Sequence, residues 1–289
     1  MIGTIAGDTI GSAYEFSNTK DYNFRLFTSE SDFTDDSIMT AAVAAWLLRD
    51  PAQSHQGLED AMLEFANTCP CPMGGYGTEF WTWLFNPSHI RPYEACYGAS
   101  PYVSRTGRRP YGSWGNGSAM RVSPVGWFFD SLEETERVAK ISAEVTHNHP
   151  EGVKGAQATA AAVFLARTGK SREDIRDYVE KRFGYDLHRS WAYWHPLYDW
   201  DSSCQGTVPQ ALICFLESTD FEDAIRKAVS LGGDSDTLAC ITGGVAEAFY
   251  GGIPDHIAAR ILRGLPDAML DTLSQMRLRT PYGELYPGQ

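Results

Sequence analysis

The sequence predicts an all-α fold organised as a single domain over 1–289, and three observations predict it. Segment after segment carries apolar residues at helical spacing behind a capping residue, strand-like alternation is nearly absent, and no repeat or low-complexity linker divides the chain. The 289 residues are 43% hydrophobic and 21% charged, the composition of a water-soluble globular protein with a large buried core.

Taken in order, an apolar N-terminal helix leads to Glu15. Thr34-Asp35-Asp36-Ser37 then opens a helix over 34–49 whose continuation, IMTAAVAAWLL, is apolar on nearly every face and therefore buried. A helix over 56–67 follows. The aromatic and Gly/Pro-rich stretch from Cys69 to about Gly126 reads as irregular. Ser131-Leu-Glu-Glu134 starts a helix to Val145 in capping-box form, 151–167 is the next, and Ser171-Arg-Glu-Asp174 starts one to Lys181. Residues 183–204 form a second irregular, aromatic-rich stretch, and long loops in a compact domain usually bind something. Helices over 206–217, 220–230, 236–249, 255–262 and 265–276 complete the chain. The charged runs at 171–182 and 220–227 are solvated faces with i,i+4 pairs.

Lys plus Arg number 24 against 37 Asp plus Glu, a net charge of −13, which excludes general affinity for nucleic-acid backbones or anionic membranes. No apolar run is long enough to span a membrane, and MIGTIAGDTIGS lacks the charged start of a signal peptide, so a cytoplasmic location is expected. Six cysteines (Cys69, Cys71, Cys96, Cys204, Cys214 and Cys240), without paired CxxC sequences, are expected as free thiols.

Two acidic segments carry the chemistry. Thr34-Asp35-Asp36-Ser37 is matched by Gly232-Gly233-Asp234-Ser235-Asp236-Thr237, again at the mouth of a helix rich in small and apolar residues. Helix capping accounts for one acid in each and leaves the other unexplained. If the two mouths meet, four carboxylates and two threonine hydroxyls share a volume that only a cation makes tolerable. An all-oxygen set favours a hard ion, Mg²⁺ or Mn²⁺, over Zn²⁺. Glu15 lies in the nearly uncharged AGDTIGSAYEF and needs a metal, a donor or a raised pKa. The glycine-rich Tyr111–Arg121 segment can bring backbone N–H groups to an anion. Tyr111, Trp114, Tyr193 and Trp194 are candidates to stack on a base.

IAGDTIGSAYEF from Ile5, FTDDSIMT from Phe33, GNGSAMRVSPVGW from Gly115, THNHPEGVKGAQA from Thr146, CQGTVPQAL from Cys204 and LGGDSDTLACITGGVAEAFYG from Leu231 together resemble the ADP-ribosylglycohydrolases. The resemblance implies an all-α fold with two divalent metal ions, Mg²⁺ or Mn²⁺, at the bottom of an ADP-ribose cleft. It implies Thr34, Asp35, Asp36, Asp234, Asp236 and Thr237 as metal ligands, and a catalytic set of Glu15, Asp35 and Asp234. Gly115, Asn116, Gly117, Ser118, Met120 and His147 would line the substrate. Ser37 stands where many relatives have threonine, and a hydroxyl is kept. The expected reaction is metal-dependent hydrolysis of the glycosidic bond between ADP-ribose and an acceptor, first of all a protein arginine, releasing ADP-ribose. The expected partner is an ADP-ribosylated protein, with nucleic acid only as a modified substrate. Alternatives are serine-, O-acetyl- or nucleic-acid-linked ADP-ribose, a two-metal nucleotide phosphohydrolase, and a non-catalytic ADP-ribose-binding protein; six retained ligands plus Glu15 argue against the last.

Overall fold

The computed structural model describes residues 1–89 and 104–285. Among these the regular elements are α1 (Ile2–Ser12), α2 (Asp35–Arg49), α3 (His55–Thr68), α4 (Thr78–Phe85), α5 (Gly117–Met120), α6 (Ser123–Phe128), α7 (Leu132–Glu144), α8 (Pro150–Arg167), α9 (Arg172–Phe183), α10 (Trp191–Trp194), α11 (Cys204–Leu216), α12 (Phe221–Leu231), α13 (Ser235–Tyr250), α14 (Asp255–Leu262) and α15 (Asp267–Arg279), with 3₁₀ turns at Pro87–His89 and Pro281–Leu285. The all-α expectation holds. The only extended pairing among the described residues is a single antiparallel bridge between Gly115 and Ser203, which ties the two irregular stretches together.

The long helices begin where their caps predict. Ser54, Ser131, Ser203 and Asp220 each accept a backbone N–H from the first turn, and Ser171 with Asp174 forms a complete capping box. At Ser131 only half of the box is made, because Glu134 pairs with Arg137 instead. The Cys69–Gly126 stretch differs from expectation: it contains α4, α5 and α6, of eight, four and six residues, too short for periodicity to declare them. Cys69, Cys71, Cys204, Cys214 and Cys240 are free, and Cys96 lies outside the described residues. No helix among the described residues is long and apolar enough to cross a membrane.

The core centres on α1 and α13, which run antiparallel in backbone contact. A Cβ on Gly7 would stand 1.9 Å from the Ala239 carbonyl oxygen, and one on Gly11 would stand 2.5 Å from the Asp236 Cα. Both positions therefore require glycine, since no real Cβ approaches a backbone so closely. The seam delivers the end of α1 to the start of α13, where the Ser235 hydroxyl donates to the Gly11 carbonyl at 3.0 Å. The mouth of α2 is brought to the same point by Ser12, whose hydroxyl donates to the Asp32 carbonyl at 2.7 Å. Three chain segments distant in sequence thus end in one place.

Candidate active site

At that place lies a cleft of about 550 Å³ lined by Glu15, Asp35, Asp36, Asp234, Asp236 and Thr237 on one side and by Gly115, Asn116, Gly117, Met120, Arg121 and His147 on the other. Asp8, Asp36 and Asp236 offer carboxylate oxygens within 4.8 Å of one another, and so do Glu15, Asp234 and Asp236. The two helix mouths therefore meet, and Asp236 belongs to both groups.

Capping accounts for one of the four acids, Asp236, which accepts the Thr237 N–H at 2.9 Å. On α2 the cap is the Thr34 hydroxyl, which accepts the Asp36 N–H at 3.2 Å, and at α13 the Asp234 side chain makes no capping bond. Asp234 instead accepts from the Asn116 carboxamide at 2.8 Å, and the Asp36 carboxylate faces the Thr237 hydroxyl at 3.3 Å. Asp36 Oδ1 is fully buried without a hydrogen-bond partner, the arrangement expected of an oxygen that serves a cation. Electrostatics agree. Burial and then the neighbouring acids raise Asp35, Asp36 and Asp236 well above the usual carboxylate range, and burial with Asp234 pushes Glu15 up to about 7. This donor set of hard oxygens fits divalent cations such as Mg²⁺ or Mn²⁺.

Sequence reasoning overlooked Asp8. It is fully buried and accepts the Thr34 N–H at 2.9 Å, the Thr34 hydroxyl at 2.7 Å, the Ser37 N–H at 3.1 Å and the Ser37 hydroxyl. Burial raises it to about 6 against these bonds. The signal was present: an acid inside an apolar helix needs partners as much as Glu15 does. Asp8 also explains why a hydroxyl is needed at Ser37.

On the facing wall, Arg121 is fully buried and donates to the Ser142 carbonyl at 2.8 Å and to the Thr146 hydroxyl at 2.9 Å. The Thr146 hydroxyl lies 2.7 Å from His147 Nδ1, and burial with the Arg121 charge drives His147 well below its usual pKa, so the imidazole is neutral. His149 does something else: its ring nitrogen caps α8 by accepting the Glu151 N–H. Among the substrate candidates, Ser118 is not brought to the cleft, because its buried hydroxyl donates to the Gly152 carbonyl at 2.7 Å. The Asn116 carboxamide is turned to Asp234 and to Thr207, and its N–H is taken by Ser202.

A second chamber adjoins the first and is lined by Glu79, Tyr111, Trp114, Trp200, Asp201 and Ser203 among others. Trp114 is half-exposed there, whereas Tyr193 and Trp194 line neither chamber. Trp200, which the sequence did not single out, borders both chambers and stacks on Phe16, ring centroids 6.0 Å apart.

The sequence model of a family described as ADP-ribosylglycohydrolase matches residues 1–282. Mouse ADP-ribosylhydrolase ARH3 is 26% identical over 87% of this chain and 82% of its own length, and the human protein of that name is 26% identical over 87% and 84%. An uncharacterised protein of Archaeoglobus fulgidus is 35% identical over 52% of this chain, and the match spans 53% of that protein's length. A solved structure described as an ADP-ribosylglycohydrolase-related protein complex superposes with a TM-score of 0.67 at 22% identity, covering 96% of this chain and 95% of its own, so the two share a fold.

Proposed function

The chain belongs to the ADP-ribosylglycohydrolase family, and on that premise we propose that it hydrolyses the glycosidic bond between the distal ribose of ADP-ribose and an acceptor side chain, releasing ADP-ribose. The observation that carries the reading is the meeting of two acidic helix mouths around an unpartnered buried oxygen, with Glu15 on the rim. Thr34, Asp35, Asp36, Asp234, Asp236 and Thr237 would hold two divalent cations, Mg²⁺ or Mn²⁺. When bound, such ions supply Lewis acidity toward ribose and water oxygens and lower the pKa of water.

The chain's own residues do the rest. Glu15 accepts the proton of the attacking water, a task suited to a half-buried carboxylate that lines the cleft beside the other acids. Asp234, steadied by Asn116, fixes the other flank of the reacting ribose, and Asp35 faces the cleft between them. The N–H group of Gly117 opens α5 and has no intrahelical acceptor, so it presents a donor to the diphosphate. His147 adds a second donor. Arg121 occupies a lone pair of the Thr146 hydroxyl, whose proton then turns to Nδ1 and leaves the neutral ring protonated on Nε2, the atom facing Gly117. Adenine stacks on Trp114 in the second chamber.

The acceptor we propose is a protein arginine. Glu79 lines the cleft beside Glu15, and its carboxylate complements a guanidinium leaving group but does nothing for a serine or acetyl oxygen. The test is incubation with arginine-, serine- and O-acetyl-linked ADP-ribose in Mg²⁺ or Mn²⁺ and in excess chelator, with mass spectrometry of the released species. Metal-dependent release of intact ADP-ribose from the arginine substrate is expected. Release only from the serine or acetyl substrate overturns the acceptor, and ADP-ribose binding without any release overturns the enzyme.

A further inference from the structure

Glu15 stands on the strap from Ala13 to Lys20 that leaves α1, and Asp234 follows the Gly232–Gly233 turn that enters α13. The Asn18 side chain joins strap and turn. The Asn18 carboxamide accepts the Gly233 N–H at 2.6 Å and donates to the Gly233 carbonyl at 2.9 Å, across 215 residues of sequence. It also donates to the Glu15 carbonyl at 2.8 Å and to the Tyr14 carbonyl at 2.7 Å. Bonds to residues three and four positions back are ordinary for an asparagine in a turn. The pairing with both polar groups of Gly233 is not, because it makes the side chain act as a second peptide.

The turn it grips has little room for another conformation. Gly233 has a φ of +72°, and a Cβ there would lie 2.8 Å from the Tyr198 ring and 2.9 Å from the Asp199 carbonyl. Lys20 secures the preceding residue, its Nζ donating to the Leu231 carbonyl at 2.5 Å and the Tyr198 carbonyl at 2.8 Å.

We propose that Asn18 is a positioning residue for the hydrolase: by holding the Glu15 carbonyl and the Gly233 peptide with one carboxamide, it sets the separation of the Glu15 and Asp234 carboxylates. The proposal rests on the reading given under Proposed function. The chemistry is specific to a carboxamide, which alone among short side chains offers a donor and an acceptor in one plane. Aspartate keeps the bond from the Gly233 N–H, loses the two N–H donors shared among the three carbonyls, and adds a charge beside the acids. Alanine loses all of these bonds.

The experiment compares wild type, Asn18→Ala, Asn18→Asp and Lys20→Ala. A displacement of about 1 Å at a reacting group costs on the order of 100-fold, so Asn18→Ala and Asn18→Asp are expected to lower kcat about 10- to 100-fold, with KM and the Kd of free ADP-ribose within about twofold of wild type. Lys20→Ala, which leaves the Glu15 carbonyl held, is expected to retain most of kcat. Two readouts stand apart from turnover: the Gly233 amide should exchange faster in both Asn18 variants, and Mn²⁺ titrated with paramagnetic resonance detection should bind more weakly. Wild-type kcat in Asn18→Ala despite faster Gly233 exchange overturns the proposal. So does a parallel loss of ADP-ribose affinity and thermal stability, the mark of a merely structural role. Wild type that is inactive on every acceptor refutes the hydrolase reading instead, while exchange and Mn²⁺ affinity still report on the latch.

Discussion

Asp8 receives Thr34 twice, its amide at 2.9 Å and its hydroxyl at 2.7 Å. The hydroxyl proton is thereby committed to Asp8, and the oxygen's lone pairs are left for the Asp36 amide and for a cation. Asp8→Asn keeps the shape but turns one acceptor into a donor facing donors. We expect a loss of about 1–3 kcal/mol in urea unfolding, with Mn²⁺ affinity down about 10- to 100-fold by titration. An unchanged affinity would show that Asp8 serves folding only.

Asp236 is shared by both acidic groups, whereas Asp36 and Asp234 belong to one each. Asp236→Asn is therefore expected to abolish tight Mn²⁺ binding, while Asp36→Asn and Asp234→Asn each leave one site. Calorimetric stoichiometry decides it. Equal loss in all three variants would mean a single ion or two ions that bind only together.

Stability without metal should fall as pH rises. Asp8 is raised to about 6, Glu15 to about 7, and Asp35, Asp36 and Asp236 well above the usual carboxylate range, while the unfolded chain ionises its carboxyls at about pH 4. From about pH 4 upward the folded state therefore binds more protons than the unfolded one, and stability declines with pH. His147 and the buried Met1 ammonium, both lowered on folding, oppose this below their unfolded pKa values of about 6.5 and 8, but two groups face five carboxyls. Tm in chelator should drop from about pH 5.5 to 8, and Mn²⁺ should raise it most at the alkaline end. Parallel curves with and without Mn²⁺ would contradict this.

Glu15→Gln removes the proton acceptor and one carboxylate of the Glu15–Asp234–Asp236 group. A fall in kcat of about 10²- to 10⁴-fold is expected, with the Kd of free ADP-ribose nearly unchanged by calorimetry. A kcat within about threefold of wild type would shift the base to Asp234.

Trp114→Ala should act on binding alone. Losing a stacked base costs about 1–3 kcal/mol, or roughly 5- to 150-fold in the Kd of ADP-ribose, while kcat at saturation stays near wild type. If affinity holds, adenine lies elsewhere in the second chamber.

Much of this was legible in the sequence wherever one residue type does one job. Helix starts were readable because Ser131 and Ser171 cap by chemistry local to the turn. The two acidic segments stood out because a carboxylate that capping does not need demands a cause at a buried helix mouth. What escaped depends on partners remote in the chain. Nothing in the sequence pairs Asn116 with Asp234, 2.8 Å away, or Asn18 with Gly233. Helices α5 and α10 span four residues each and exist through what they pack on, so no periodicity could announce them.

The side-chain-free contact of α1 with α13 also sets the terms on which this centre can be borrowed. A designer who grafted only the acids onto another bundle would set the two mouths at an ordinary interhelical distance, apart by the width of the methyl groups that Gly7 and Gly11 lack. The transferable unit is the α1–α2–α13 trio with its bare stripe, and the remaining helices are scaffold that can be exchanged for others of the same shape.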